Sequence, residues 1–360
     1  MRITITLLLS FLIVGTVQSQ FRMGSAVSYA NGGARVTVQS VGDVSIDKEM
    51  TLGNTALIFA GGTNNLSITN SLTLLGLGLG NGSNVTMSGD LTVTGDIIFE
   101  DGYITPGSNR LLYTGPEILE GSDASHVRGM MWSRGTGVRS FPIASSDNLY
   151  APFVLQGVTE GDVDLGVTAF HSNASVTNIP PTIPDVSTDW YWQLETRGST
   201  FSGAVVTLPI LVGDAGLFSG QNVSGVVLQA SGTRDLVESL GGSVGVDAVT
   251  STESGTGPLF LLGTVMEVQL SIHNIISPNG DGINDFLVIE NLGLLGTNNE
   301  VVLLDRWGVR VYEKTGFENF DAISNPYDGS FDFLEPGNYI CILKIPNRET
   351  MTQTITVVRE

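Results

Sequence analysis

Cysteine is almost absent from this chain: Cys341 is the single one in 360 residues. One thiol excludes an intramolecular disulfide framework. It sits in the apolar run Tyr339–Leu343, where a buried core thiol is expected, because free cysteine is among the most buried residue types. Histidine is nearly as scarce. His126, His171 and His273 lie far apart, and none has a His or Cys partner at metal-ligand spacing. Zinc chemistry and Cys–His nucleophilic catalysis therefore have no support. Charged residues make up only 14% of the chain, and the balance is lopsided, with 36 acidic against 16 basic residues and a net charge of −20. Of the basic residues only Lys48, Lys314 and Lys344 are lysines. With no basic patch, nucleic acid is excluded as an expected partner. An acidic surface keeps an exported protein soluble and collects divalent cations.

Long apolar runs are lacking as well, apart from Ile3 to Val14. With Arg2 before it and the small-residue site Val17-Gln18-Ser19 after it, residues 1–19 read as a secretory signal peptide cleaved before Gln20. The run is too short for a comfortable membrane span, no cysteine follows it to mark a lipoprotein, and no second run of about 18 apolar residues appears. The expected product is an exported chain with no transmembrane segment.

Helical periodicity is missing too, while glycine is plentiful at 45 residues and Val, Thr, Leu and Ile dominate. An all-β protein is expected throughout. Residues 20–115 are quasi-repetitive, most clearly in Val85 to Gly102, which reads VTMSGD-LTVTGD-IIFEDG. Apolar residues hold the first and third places of each hexad, as Val85 and Met87, Leu91 and Val93, and Ile97 and Phe99. Upstream the same dyads recur with slips, as Val36/Val38, Val44/Ile46, Leu66/Ile68 and Leu72/Leu74. Alternation buries one face of each short strand, and Gly-Asp supplies the turns. Strands that cannot bury a face alone stack on their neighbours, so a β-solenoid-like region is expected, with a hairpin meander as its rival. Asn54, Asn64, Asn65, Asn70, Asn81 and Asn84 recur here, and a solenoid could stack some of them at its corners. Residues 116–268 carry longer, aromatic-rich strands, such as Trp190-Tyr191-Trp192, and predict a central immunoglobulin-like β-sandwich. Gly135 to Leu155 resembles a segment of many Bacteroidetes surface proteins. Ser239 to Gly257, rich in Gly, Ser and Thr, reads as a long loop or hinge.

Residues 269–360 carry the most specific signals. Pro278-Asn279-Gly280-Asp281-Gly282-Ile283-Asn284-Asp285 opens the region. Arg306-Trp307-Gly308-Val309-Arg310-Val311-Tyr312 follows, then Tyr327-Asp328-Gly329, Leu334-Glu335-Pro336-Gly337-Asn338-Tyr339, and a closing Thr354-Ile355-Thr356-Val357-Val358-Arg359. Read alone these are short strands and turns of a small β-sandwich. In this order they resemble the gliding-motility-associated C-terminal domain, the type B sorting domain of the type IX secretion system of Bacteroidetes. Tyr327 stands where that family has Trp, and one residue is inserted after Leu334. The resemblance implies a periplasmic passage, recognition by the type IX translocon and an outer-membrane barrel of the PorP/SprF kind, and a final location outside the cell or on its surface. Trp307 and Tyr339 are expected as core anchors.

Two readings stand for the loop Asn279 to Asp285. Asn279, Asp281, Asn284 and Asp285 offer oxygen donors for calcium, which takes about 6–8 of them. The loop lacks the distal bidentate Glu of an EF-hand, and an Asx-type turn explains the same residues. No other cofactor is expected. Gly241-Gly242-Ser243-Val244-Gly245 satisfies the nucleophile-elbow pattern, but no helix is predicted beside it, and the elbow means something only between strand and helix. The many acidic residues supply carboxylate pairs for glycoside cleavage, yet sequence places no two of them together. Tyr191, Trp190, Trp192, Trp132 and Tyr150 could stack on glycans or fill a core. The expectation is a non-enzymatic structural or adhesin-like surface protein capable of self-association through its edge strands. A glycan-binding module or weak carbohydrate-active enzyme is the alternative.

Overall fold

A computed structural model describes residues 21–23, 36–40, 43–46, 50–219, 223–235, 237–266, 268–319, 331–346 and 348–359. The signal peptide, its cleavage site and the Tyr327-Asp328-Gly329 motif lie outside the described residues. Among the described residues every regular element is a β-strand except two short 3-10 turns, Asp214–Ser219 and Leu292–Leu295. Among the described residues no helix is long and apolar enough to cross a membrane. The chain divides into two compact units, Met1–Ile179 with Asp185–Thr264, and Pro180–Pro184 with Val265–Glu360.

The first unit begins as a β-solenoid of about five turns. Leu66 lies in register between Val44 and Met87, Leu72 between Met50 and Leu91, and Leu77 between Leu57 and Ile97, all in parallel ladders. Each coil thus advances about 20 residues and has three sides. The three hexads from Val85 to Gly102 are the three sides of one coil. Val85 and Met87 pair on the first side, Leu91 and Val93 on the second, and Ile97–Phe99 on the third. Val85, Met87, Leu91, Val93 and Ile97 are buried in one core. The repeat seen in the sequence is therefore a side, and the structural repeat is three of them.

Close packing between coils explains the Gly at the corners. Gly89 has φ +148°, and a Cβ there would come within 2.3 Å of the Ile68 carbonyl oxygen of the preceding coil. The side chains of Asn64, Asn65 and Asn81 hydrogen-bond to carbonyl or carboxylate oxygens. Asn64 is fully buried and donates from Nδ2 to the carbonyls of Gly61 (3.0 Å) and Gly62 (2.9 Å). Asn65 donates its backbone N–H (2.8 Å) and its Nδ2 (3.2 Å) to Asp43 Oδ1, and Asn109 donates from Nδ2 to Met87 O at 2.9 Å, each linking adjacent coils.

The parallel ladder runs on past residue 115. Trp132 pairs with Leu112, His126 with Tyr103, and Val127 with Ile143. From Met131–Arg134 the pairing turns antiparallel, onto Asp164–His171, then Trp190–Arg197, then Leu259–Met266. A second, five-stranded antiparallel sheet faces this one. It consists of Gly137–Phe141, Phe153–Val158, Ala204–Pro209, Ala248–Gly255 and Ser243–Val244. Phe153 and Phe260 pack across the two sheets with ring centroids 5.6 Å apart, and Trp192 donates its indole N–H to Ala151 O at 3.1 Å. Solenoid and sandwich share one buried cluster, so the sandwich caps the open end of the stack. Ser239 to Gly257 is not a hinge: its residues form two paired strands, because alternating Val249 and Ser251 face the core.

The second unit is a five-stranded sheet in the order Ile275–Ile276, Met351–Val357, Gly337–Lys344, Glu300–Leu304, Arg310–Thr315. A two-stranded pair, Ser271–Ile272 with Ile289–Glu290, accompanies it. Its own core holds Ile276, Leu287, Ile289, Val301, Leu303, Phe317, Tyr339, Cys341 and Ile355. Burial pushes the Cys341 thiol up to about 12, so it is an inert core residue.

Candidate functional site

Three of the motifs of the second unit fall on turns, and strand pairing places these three turns at one end of its sheet. Ile276 pairs with Val357, which pairs with Gly337, while Ile340 pairs with Leu304 and Leu304 with Arg310. The chain therefore leaves Ile276 into residues 277–285 and leaves Leu304 into 305–309. It enters Gly337 from 331–336. All three events occur at the same end of the sheet.

The first turn is organised by carboxylates that accept backbone N–H groups. Asp285 Oδ1 accepts from Gly280 at 2.7 Å and Asn279 at 3.1 Å, and its Oδ2 accepts from Gly282 at 2.8 Å. These bonds hold the Asp285 carboxyl below the usual carboxylate range. Asp281 Oδ1 accepts from Ile283 N–H at 2.8 Å, and Asn279 Oδ1 from Asp281 N–H at 3.0 Å. Asn284 sits in the left-handed region at φ +56°, and its carbonyl accepts from Ser277 N–H at 2.7 Å. This is the Asx-turn arrangement, with the oxygens aimed at their own backbone. Among the described residues no group of three or more His, Cys, Asp or Glu is placed to hold a metal.

Arg306-Trp307-Gly308 forms a hairpin tip. Asp305 N–H donates to Val309 O, Gly308 N–H donates to Asp305 O, and Asp305 Oδ1 accepts the N–H groups of Trp307 and Val309. Trp307 is 81% exposed and is not a core anchor. The indole belongs to the turn that precedes the strand Arg310–Thr315 and lies outside that strand. Tyr339 is buried, with its hydroxyl donating to Glu335 O at 2.8 Å, and so anchors the Pro336-Gly337 approach to its strand. Arg359 donates to the carbonyls of Asp332 and Leu334 in the same approach.

The other candidates disperse. Trp132, Trp190, Tyr191 and Trp192 are all buried. Tyr191 stacks on Phe170 at 4.6 Å and Trp190 on His171 at 4.4 Å. Tyr150 lies beside His126, and burial pushes its hydroxyl up to about 12. Ser243 lies on a two-residue edge strand paired with Thr250, with no helix after it, so the nucleophile-elbow geometry is not formed. His273 has a carboxylate partner: its Nε2 lies 2.9 Å from Glu290 Oε1, within the second unit.

Two acidic sites were missed in the sequence. Asp164 is buried between Arg110 (2.7 Å) and Arg134 (2.5 Å), partners 54 and 30 residues away with no local signal. Asp214 is buried, accepts from Ser187 Oγ at 2.6 Å, and is pushed up to about 6 by burial.

No curated protein and no solved structure matches the chain. Residues 270–357 match the family model described as the CHU_C type IX secretion signal domain, which covers the turn-bearing sheet just described and not the first unit. This C-terminal region of the chain is a type IX secretion signal domain.

Proposed function

We propose that this chain is a structural or adhesin-like protein that works on the cell surface or outside the cell, with residues 270–357 as its export address and the first unit as its cargo. The secretion signal domain at residues 270–357 carries the reading. Such a domain implies export by the type IX system, to the medium or the surface. The cargo role is supported by the construction of the first unit: a solenoid capped by a sandwich with one continuous core. Its aromatic strands are packed inward and its Gly-Ser segment is folded into a sheet edge. Such a body is suited to span distance and to present surface.

The export half is tested in the native host by deleting residues 270–360 and fractionating the cells. Retention of the cargo in the periplasm is expected, and an unchanged extracellular level would overturn it. The cargo half is tested by adhesion and biofilm assays on cells lacking residues 20–268, beside a glycan array and hydrolysis screen on purified protein. Loss of adhesion supports the structural reading; specific glycan binding or turnover replaces it with the carbohydrate-active alternative.

A further inference from the structure

Four large apolar side chains of the second unit are more than half exposed: Ile283 at 66%, Trp307 at 81%, Val309 at 58% and Phe333 at 59%. Single exposed apolar residues are ordinary. These four, however, all sit on the three turns gathered at one end of the sheet, and no other described large apolar side chain of this unit reaches that exposure. Nor are they slack. Asp305 clamps the tip that bears Trp307 and Val309, and Asp285 and Asp281 clamp the turn that bears Ile283. The Phe333 segment is held by Arg359, and Phe333 itself packs edge-on to buried Phe331 with centroids 6.1 Å apart. The clamping carboxylates are turned to their own backbone. At the hairpin tip the outward charge is the Arg306 guanidinium, 6.0 Å from the Trp307 ring centre, on a chain of net charge −20. Rigid presentation of an indole beside a guanidinium is the composition of an interface anchor, since Trp and Arg dominate binding hot spots.

We propose that this turn end is the face read during export, and that its occupant is a protein of the export machinery. That partner would offer an apolar pocket for the Trp307 indole and a carboxylate for Arg306. The proposal rests on the reading of residues 270–357 as an export address, because an address requires a reader, and it names which surface is read. Hot-spot aromatics set affinity out of proportion to their area, so truncating Trp307 should act strongly while leaving the fold intact.

The test uses the full chain in its host. The variants are Trp307→Ala, Arg306→Glu and Phe333→Ser, with Thr352→Ala as a control on an exposed position toward the other end of the sheet. Extracellular and periplasmic amounts are measured, and thermal melting of each purified chain reports folding. Trp307→Ala is expected to lower export at least about tenfold with an unchanged melting midpoint. Arg306→Glu should act in the same direction, and Thr352→Ala should export normally. Normal export of Trp307→Ala and Phe333→Ser, while deletion of residues 270–360 blocks export, would overturn the proposal and leave the export address standing. Normal export of the deletion would remove the reading beneath it. Equal failure of Thr352→Ala would show that the face is not selective and overturn the proposal. A purified dimer that Trp307→Ala dissolves, with export normal, would assign the face to a second copy of the chain instead.

Discussion

The Oδ1 atom of Asp305 accepts the backbone N–H groups of both Trp307, at 2.8 Å, and Val309, at 2.9 Å. One carboxylate thus sets the shape of the hairpin that exposes Trp307. Asp305→Ala is expected to destabilise the second unit by about 1–2 kcal/mol, the loss of charge-assisted bonds at a partly solvated site. Asp305→Asn, which keeps an acceptor, should cost less. Denaturant melts followed by Trp307 fluorescence, against a Trp307→Phe background, check both.

Asp285 predicts an acid-sensitive turn. Its folded carboxyl lies below the ordinary range because Gly280, Gly282 and Asn279 donate to it. The stabilisation is therefore present above the unfolded carboxyl value and lost as pH falls through the folded one. Asp285→Asn should lower the melting midpoint at neutral pH and converge with the parent in acid. Calorimetric titration with calcium belongs to the same experiment. With the carboxylates committed to the turn, the expected result is no calcium-dependent rise in the midpoint. A rise abolished by Asp285→Asn would assign the loop to the metal.

Asp214 predicts the opposite pH dependence in the first unit. Burial raises its folded carboxyl to about 6. The native state therefore holds a proton that the unfolded chain has already released, and stability falls as pH rises from about 4 to about 6. The size is about 2–3 kcal/mol at one pH unit per 1.36 kcal/mol. Asp214→Asn should remove that slope and leave the variant the more stable form above about pH 6. Urea melts across this range decide it.

Gly89 is where one coil of the solenoid touches the next. A Cβ at this position would press on the Ile68 carbonyl, and the backbone is already at positive φ. Gly89→Ala should cost about 2–4 kcal/mol, from combined overpacking and backbone strain. Gly107, also at positive φ but with open space around it, is the control. Gly107→Ala should cost only the strain, about 1 kcal/mol.

Much of the second unit was readable because its motifs are turns. A turn is a local object: Asp281 and Asp285 bond to backbone within six residues, so the residues needed for it lie together in the chain. The hexads of the solenoid were readable for the same reason, since burial of Val85, Met87, Leu91 and Val93 follows alternation within a strand. Ser239 to Gly257 misled because small polar residues look like a loop until a partner strand supplies hydrogen bonds, and that partner, Ala204–Pro209, is about 45 residues away.

The sequence by itself determined the solenoid hexads, the turns of the second unit and the export address, because alternation and turn chemistry act over a few neighbouring residues. Only the tertiary structure decided that three hexads make one coil, that the ladder continues across residue 115 into a shared core, and that Trp307 faces water. Those outcomes depend on which strand lies beside which, and pairing between residues 20 or more positions apart leaves no mark in local pattern.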